Sequence, residues 1–359
     1  MAKQNDRPTL ATVASRAGVS IKTASRVLNG EKHVATSTAE KVEDAAAELG
    51  FRLNSTARRL RAGGRSPYIG VIMSDGRDPF QSRLFTLLEA ELGRVGLRPV
   101  VTITADDPER ERAFLDECLA NDMSGLCIIR SHPDAARSYA EAASADVKIV
   151  SFDPSTAGGA VAVIAGDEKR AGRLAATQLL DHGHISIGVV GDHSTSPITV
   201  DRLAGIRSAF ARRSDVGWRA YMEEDAHDLV SAKNVVAAWL GSRTAPSALI
   251  TLSATLTQGA IDACRRLDQW PALVGIDDFP TADLLDVTVI DRDVASMAAE
   301  AVRRLQDASH SALDAGAGHG SDGAGHGSDG AVGSGPSPRR WEIPVHVIAR
   351  GSGEEPPDK

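Results

Sequence analysis

In the stretch "VSIKTASRVLNG", Val19 to Gly30, a lysine and an arginine stand four residues apart. At that spacing Lys22 and Arg26 share one face of a helix, with Ile21 and Ser25 beside them. Ammonium and guanidinium donors so placed suit the acceptor edges of base pairs. A second set of residues suits a small hydroxylated molecule. Asp277, in "LVGIDDF", follows a β-branched run at once and can accept hydrogen bonds from two neighbouring hydroxyls; Arg202, in "VDRLAGI", stands at a helix start and offers a planar fork of donors. Asp167, in "AGDEKRAG", opens another helical stretch. Each has a plainer reading: Asp167 as a helix N-cap, Arg202 as half of a surface ion pair, the neighbouring Asp278 as a turn residue. A third set fails on context. The GxGxxG spacing occurs as "GHGSDG" at Gly318–Gly323 and Gly325–Gly330, inside a tandem "GAGHGSD" repeat, but no strand leads in and no helix follows. His319 and His326 of that repeat make a weak metal site on a low-complexity Gly/Ser/Asp/His insertion spanning 311–338.

The cationic pair needs a rigid support, and the surrounding periodicity supplies one. Leu10, Val13, Ala14 and Ala17 recur at helical spacing before Gly18 breaks the helix; Ser20 caps a second helix that buries Ala24, Val27 and Leu28. Ser37 or Thr38 caps a third, in which Val42, Ala45, Ala46 and Leu49 line one face until Gly50. This is a helix-turn-helix pattern, whose second helix presents its N-terminal outer residues to the major groove. A small helical bundle that binds protein is the other reading.

Beyond Tyr68, β-branched runs alternate with amphipathic helical stretches: "YIGVIM", "PVVTIT", "GLCIIR" and "VKIVSF", then "ISIGVVG", "SALITL", "ALVGID" and "VTVI". Such alternation means right-handed βαβ units and parallel sheets, here in two doubly wound lobes with a cleft at the strand C-terminal ends. Charge divides along the same line. Up to Arg65 there are 12 Lys+Arg against 6 Asp+Glu, and the remainder holds 28 against 42, within a formal net charge of −8. Phosphate is attracted by the head and repelled by the body. The sequence carries no run of about 18 apolar residues and no apolar leader, which excludes a membrane-spanning helix and sets the expectation of a cytoplasmic protein. Cys118, Cys127 and Cys264 are odd in number and widely spaced, so reduced core thiols are expected rather than disulfides or a metal pair.

With "AGVSIKTASRVLNG" and "ELGFRLNSTARRLRAG" the head resembles the DNA-binding region of the LacI/GalR family of bacterial transcription regulators, and similarity continues to "ARGSGE" near the end. The resemblance implies a helix-turn-helix domain over 1–53, a hinge helix and linker over 54–66, and a two-lobed periplasmic-binding-protein-like body over 67–350. Lobe 1 is expected at about 67–163 and 292–310, and lobe 2 at about 164–291 and 340–350. It places Ile21, Lys22 and Arg26 at bases, and Thr9, Ser20, Thr23, Ser25 and Asn29 at phosphates. In the hinge, Asn54 caps a short helix, Ala57 and Leu60 share one face, and Arg58 flanks it for phosphate; Leu60 enters a base step as an apolar wedge. Phe80, Asp167, Arg202, Ser253 and Asp277 fall at effector-contacting positions, Phe80 against the apolar face of a sugar ring.

Three departures from the family pattern stand out. Thr12 replaces the usual Asp at the first helix, Gln81 stands where many relatives have a second aromatic, and Ser253-Ala254 replaces an Asn-Asp pair. The last change points to a smaller, less hydroxylated or differently oriented ligand. The expected protein is a homodimeric regulator, a repressor, which binds a pseudo-palindromic operator under the control of a sugar or sugar derivative that either weakens or strengthens DNA binding. No cofactor, metal or catalytic activity is expected. A sugar-binding receptor without gene-regulatory action is the alternative, and an enzyme is a distant third.

Overall fold

The computed structural model describes residues 8–29, 34–51, 66–132, 135–144, 147–157, 161–213, 215, 221–307, 340–354 and 356. The chain divides into two compact units, Met1–Ser66 and Pro67–Lys359.

In the first unit, α1 (Leu10–Ala17), α2 (Ile21–Leu28) and α3 (Thr36–Glu48) enclose a core of Val13, Ala14, Ala24, Val27, Val42, Ala45 and Ala46. Small alanines at the crossings let three short helices approach closely enough to bury this little apolar surface. Gly18 ends α1 with φ 68°, a left-handed conformation that glycine adopts without strain. Thr12 proves useful where an aspartate was expected. It forms a capping box in which Thr9 Oγ1 accepts from Thr12 N (3.2 Å) and Thr12 Oγ1 accepts from Thr9 N (2.8 Å), so two otherwise unpaired amides are satisfied. The start of α3 differs from expectation. Ala35 is the N-cap and makes no side-chain cap bond, since alanine has no side-chain acceptor; its carbonyl accepts from Thr38 N and Ala39 N, and Ser37 and Thr38 lie in the first turn.

The second unit contains two six-stranded sheets. The first lobe runs β1 (Tyr68–Met73), α4 (Pro79–Arg94), β2 (Arg98–Ile103), α5 (Pro108–Ala120), β3 (Gly125–Ile128), α6 (Ala136–Ser144), β4 (Ile149–Ser151) and β5 (Ala162–Gly166). The second runs α7 (Glu168–Asp181), β6 (Ile187–Val190), α8 (Pro197–Phe210), β7 (Met222–Glu223), α9 (Leu229–Leu240), β8 (Ala248–Thr251), α10 (Ala254–Leu267), β9 (Ala272–Ile276) and β10 (Thr288–Arg292). The chain then returns through α11 (Val294–Gln306) and closes with β11 (Arg340–Ile343) and β12 (Val345–Ile348). Sheet order is β11-β5-β4-β3-β1-β2 in lobe 1 and β12-β10-β9-β8-β6-β7 in lobe 2; every pairing is parallel except β10 with β12.

Three expected boundaries shift. Strand β5 stays in lobe 1 up to Gly166, and the 340–350 segment is shared rather than wholly in lobe 2: β11 pairs with β5, and only after Pro344 does β12 pair with β10. Strand β10, through Arg292, belongs to lobe 2. A proline lacks the donor a strand requires, so it splits what reads as one β-branched run. The chain thus passes between lobes three times, at Gly166–Asp167, Arg292–Asp293 and Pro344. Both faces of the lobe 1 sheet are covered. Leu84, Leu88 and Leu92 of α4 join Met297, Ala301 and Leu305 of α11 on one face; Phe114, Cys118 and Tyr139 fill the other. Helices α7 and α8 touch backbone to backbone: a Cβ on Gly172 would lie 1.9 Å from the Arg202 carbonyl oxygen, and one on Gly205 2.0 Å from that of Lys169. All three cysteines are free and buried, and burial pushes the Cys118 and Cys127 thiols up to about 12 and Cys264 to about 11. Among the described residues no helix is long and apolar enough to cross a membrane.

Candidate nucleic-acid interface and ligand cleft

Ser20 caps α2 as expected, its Oγ accepting from Thr23 N at 3.1 Å. Several polar groups on this face are held locally: Ser20 Oγ lies 2.9 Å from Thr23 Oγ1, and Asn29 Nδ2 donates to Ser25 Oγ at 3.2 Å. Lys22 and Arg26 are exposed, and so is Ile21, at 55%. An isoleucine that could have been buried is instead held in water on the outer face of the helix. Thr9, at the start of α1, is committed to its capping box. Asn54, Ala57, Arg58 and Leu60 of the hinge lie outside the described residues.

The cleft forms where each lobe's sheet reverses its winding. In lobe 1 this is beside β1 and β3, whose C-terminal ends carry Asp78, Phe80 and Gln81, and Ile129 and Arg130; in lobe 2 it is beside β6 and β8, which carry Asp192 and Leu252–Ala254. Phe80, Arg202, Ser253 and Asp277 line one cavity of about 60 Å³. Asp167 does not line it: its carboxylate accepts from Arg170 N at 2.8 Å and caps α7. That is the plainer of its two readings. Ser253 caps α10, its Oγ accepting from Leu256 N at 3.3 Å.

Arg202 is neither at a helix start nor on the surface. It lies within α8, 3% exposed, and donates from Nε to Glu168 (2.6 Å), from its terminal nitrogens to Asp277 (3.4 Å), and to the Leu252 carbonyl. Asp277 receives a second guanidinium, Arg292 Nε at 2.7 Å, and Arg292 also reaches Glu168 at 3.3 Å. Two buried cations and two buried carboxylates thus close a four-membered ring beside two of the inter-lobe crossings. Burial works against the Arg202 cation, but Glu168 and Asp277 outweigh it and hold the guanidinium above its ordinary value. Asp277 adopts φ 72°, a left-handed conformation that aspartate tolerates better than most residues. The Arg292 guanidinium also lies 3.5 Å over the Phe80 ring, so one face of that ring is occupied by protein.

Two clamps link the lobes around this ring. Arg83 of α4 grips Asp291 of β10 in a fork (2.9 and 3.0 Å), and Thr255 Oγ1 donates to Asp78 at 3.3 Å. Asp78 itself is pushed above the usual carboxylate range by burial, despite the bond from Gln81 N. Gln81 is fully engaged: its Oε1 accepts from Ser74 N and its Nε2 donates to Ser74 Oγ. Sequence reasoning missed Glu168, Arg292, Asp78 and Asp192. A signal existed for Arg292, since "VTVIDRD" puts a cation in a run otherwise fit for burial; Glu168 offered none beside the Asp167 cap.

A capped helix-turn-helix with an exposed cationic reading face, in one chain with a two-lobed cleft, defines a DNA-binding regulator with a ligand-binding body. Residues 9–54 match the model of bacterial regulatory proteins of the lacI family, and residues 69–304 the periplasmic binding protein domain. The chain belongs to the LacI family of regulators. It is 26% identical to the HTH-type transcriptional regulator DegA of Bacillus subtilis over 82% of this chain and 89% of that protein. It is 33% identical to the sucrose operon repressor of Streptococcus mutans over 56% of this chain, an alignment spanning 62% of that repressor. A crystal structure of the lac repressor dimer bound to operator superposes with a TM-score of 0.75 at 24% identity, over 97% of this chain and 99% of that one.

Proposed function

We propose that the protein is a homodimeric transcriptional repressor whose affinity for a pseudo-palindromic operator is set by a small sugar or sugar derivative bound between the lobes, acting inside the cell. The observation that carries this reading is the reading face of α2: exposed Lys22, Arg26 and Ile21 on a helix fixed by its own cap. Two donors and one apolar group suit guanine edges and a thymine methyl in the major groove. Thr9, Ser20, Thr23, Ser25 and Asn29 border that face with groups suited to phosphate oxygens. The hinge residues Asn54, Ala57, Arg58 and Leu60 would carry the signal between cleft and operator.

The relatives' names support the ligand class, one being a sucrose operon repressor and one solved relative a regulator bound to cellobiose. The cavity of about 60 Å³ falls well below the roughly 300 Å³ at the small end of ligand sites, so the lobes must part to admit a sugar. Parting them strains the Arg83–Asp291 and Asp78–Thr255 clamps. Ligand and clamps therefore compete for one lobe arrangement, a coupling typically of about 1–3 kcal/mol. Selection of bound duplexes from a random pool by the intact protein tests the reading. A two-fold symmetric consensus is expected, and a sugar screen should then find one that shifts its affinity. Recovery of no preferred sequence would overturn it.

A further inference from the structure

The loops that follow β6 and β7 bring two imidazoles and a carboxylate together at the rim of the cleft, and we infer that Asp192, His193 and His227 form a transition-metal site of the zinc class. One donor atom from each lies within 4.8 Å of the others, the only such His/Cys/Asp/Glu group among the described residues. Backbone pairing sets this up. Strands β6 and β7 are parallel neighbours, with Val190 opposite Glu223, so both loops leave the same edge of the sheet. They are then stitched together: Gly191 N donates to the Glu223 carbonyl (2.6 Å) and Ala226 N to the Gly191 carbonyl (3.1 Å). A side chain at Gly191 would put its Cβ 2.9 Å from the Glu223 oxygen, so the close approach requires glycine. The His193 and His227 rings consequently stack, with centroids 4.1 Å apart and planes 12° from parallel.

The donor set selects the ion. Two imidazoles with one carboxylate suit zinc and its neighbours, whereas magnesium and calcium take oxygen ligands. Zinc needs bonds of about 2.0–2.2 Å, so the donors must draw inward, and His193 and His227, 44% and 47% exposed, have room to turn. Asp225 supplies a supporting carboxylate. Its Oδ1 accepts from Ser194 N and lies 3.8 Å from His227 Nε2, so it would have to close to hydrogen-bond distance of the ring nitrogen that does not bind the ion in order to orient that imidazole. Three protein ligands leave a coordination position open. Asp192 also lines the cleft cavity, so an ion at the rim and a molecule in the cleft would share one carboxylate.

The test is zinc titration of the intact, chelator-stripped protein against a chromophoric competitor. It uses a His319→Ala/His326→Ala background, because those histidines of the Gly-rich repeat are rival ligands. One zinc per protomer is expected. His193→Ala and His227→Ala should each weaken it about tenfold or more, and each should remove the visible absorption bands of bound Co²⁺. His346→Ala, an exposed histidine on β12, should change neither. Absence of zinc uptake in the background variant overturns the site, as does uptake that survives the His193→Ala/His227→Ala pair.

Discussion

The outer face of α2 and the floor of the cleft both carry charged side chains, on opposite terms. On α2 the charges are exposed and the scaffold beneath them is apolar, so the buried core of the head forms without them. In the cleft Arg202, Asp277, Glu168 and Arg292 are buried and spend their bonds on one another. The first arrangement separates stability from recognition; the second fuses them. A ligand that engages Arg202 or Asp277 must therefore perturb a structural element at the crossings between lobes, which is what a sensor requires.

Substitutions can break this contrast, and the largest effect is expected at the cleft. Arg202→Ala leaves Glu168 and Asp277 short of a buried partner and should lower the unfolding free energy of the body by about 3–5 kcal/mol in urea titrations. An effect below about 1 kcal/mol would show that the ring is not a structural element. On α2 the pattern should invert. Lys22→Ala or Arg26→Ala should cost about 1–3 kcal/mol of discrimination in operator binding and leave stability within about 0.5 kcal/mol of the parent. Thr9→Ala, which removes half of a capping box, should destabilise the head alone by about 1 kcal/mol, seen as faster amide exchange in α1 with the body unchanged. The smallest effect concerns Asp78→Asn. Burial raises the Asp78 pKa, so the folded state loses stability as pH climbs from the ordinary aspartate value of about 3.9 through the raised one. Asparagine keeps the cap without the charge. The variant should gain stability at neutral pH and match the parent below pH ~4; equal stability at both would mean the carboxylate is not penalised.

The same contrast explains what the sequence revealed. The outer face of α2 is local: cap, stripe and exposed side all lie within a dozen residues, so periodicity and one serine suffice to place Lys22 and Arg26 on one exposed side of a helix. The cleft is assembled from distant pieces. Asp277 was legible because it follows a readable strand, whereas Arg202 reads as a surface cation although it is buried within α8; their partners Glu168 and Arg292 are 124 residues apart and meet only once lobe 2 has folded. Asp167 misled because it stands beside the residue that matters; the cap took Asp167 and the ring took Glu168. The Gly172–Gly205 approach that seats Arg202 against α7 was visible only as two ordinary glycines.

The shared C-terminal segment has a consequence for synthesis. Strand β11 finishes one edge of lobe 1 and β12, four residues of chain directly after Pro344, finishes an edge of lobe 2, while Ser352 accepts from Leu273 N and bonds Thr288. Neither lobe is complete until those residues exist. On the ribosome the head can fold early, its contacts being local, whereas β5 and β10 remain open edges, exposed to wrong pairing, until residues 340–348 have been made. The β11–β12 segment thus works as a closing stitch through both lobes, and a polypeptide cut short before Arg340 would carry an intact head on a body that never closes.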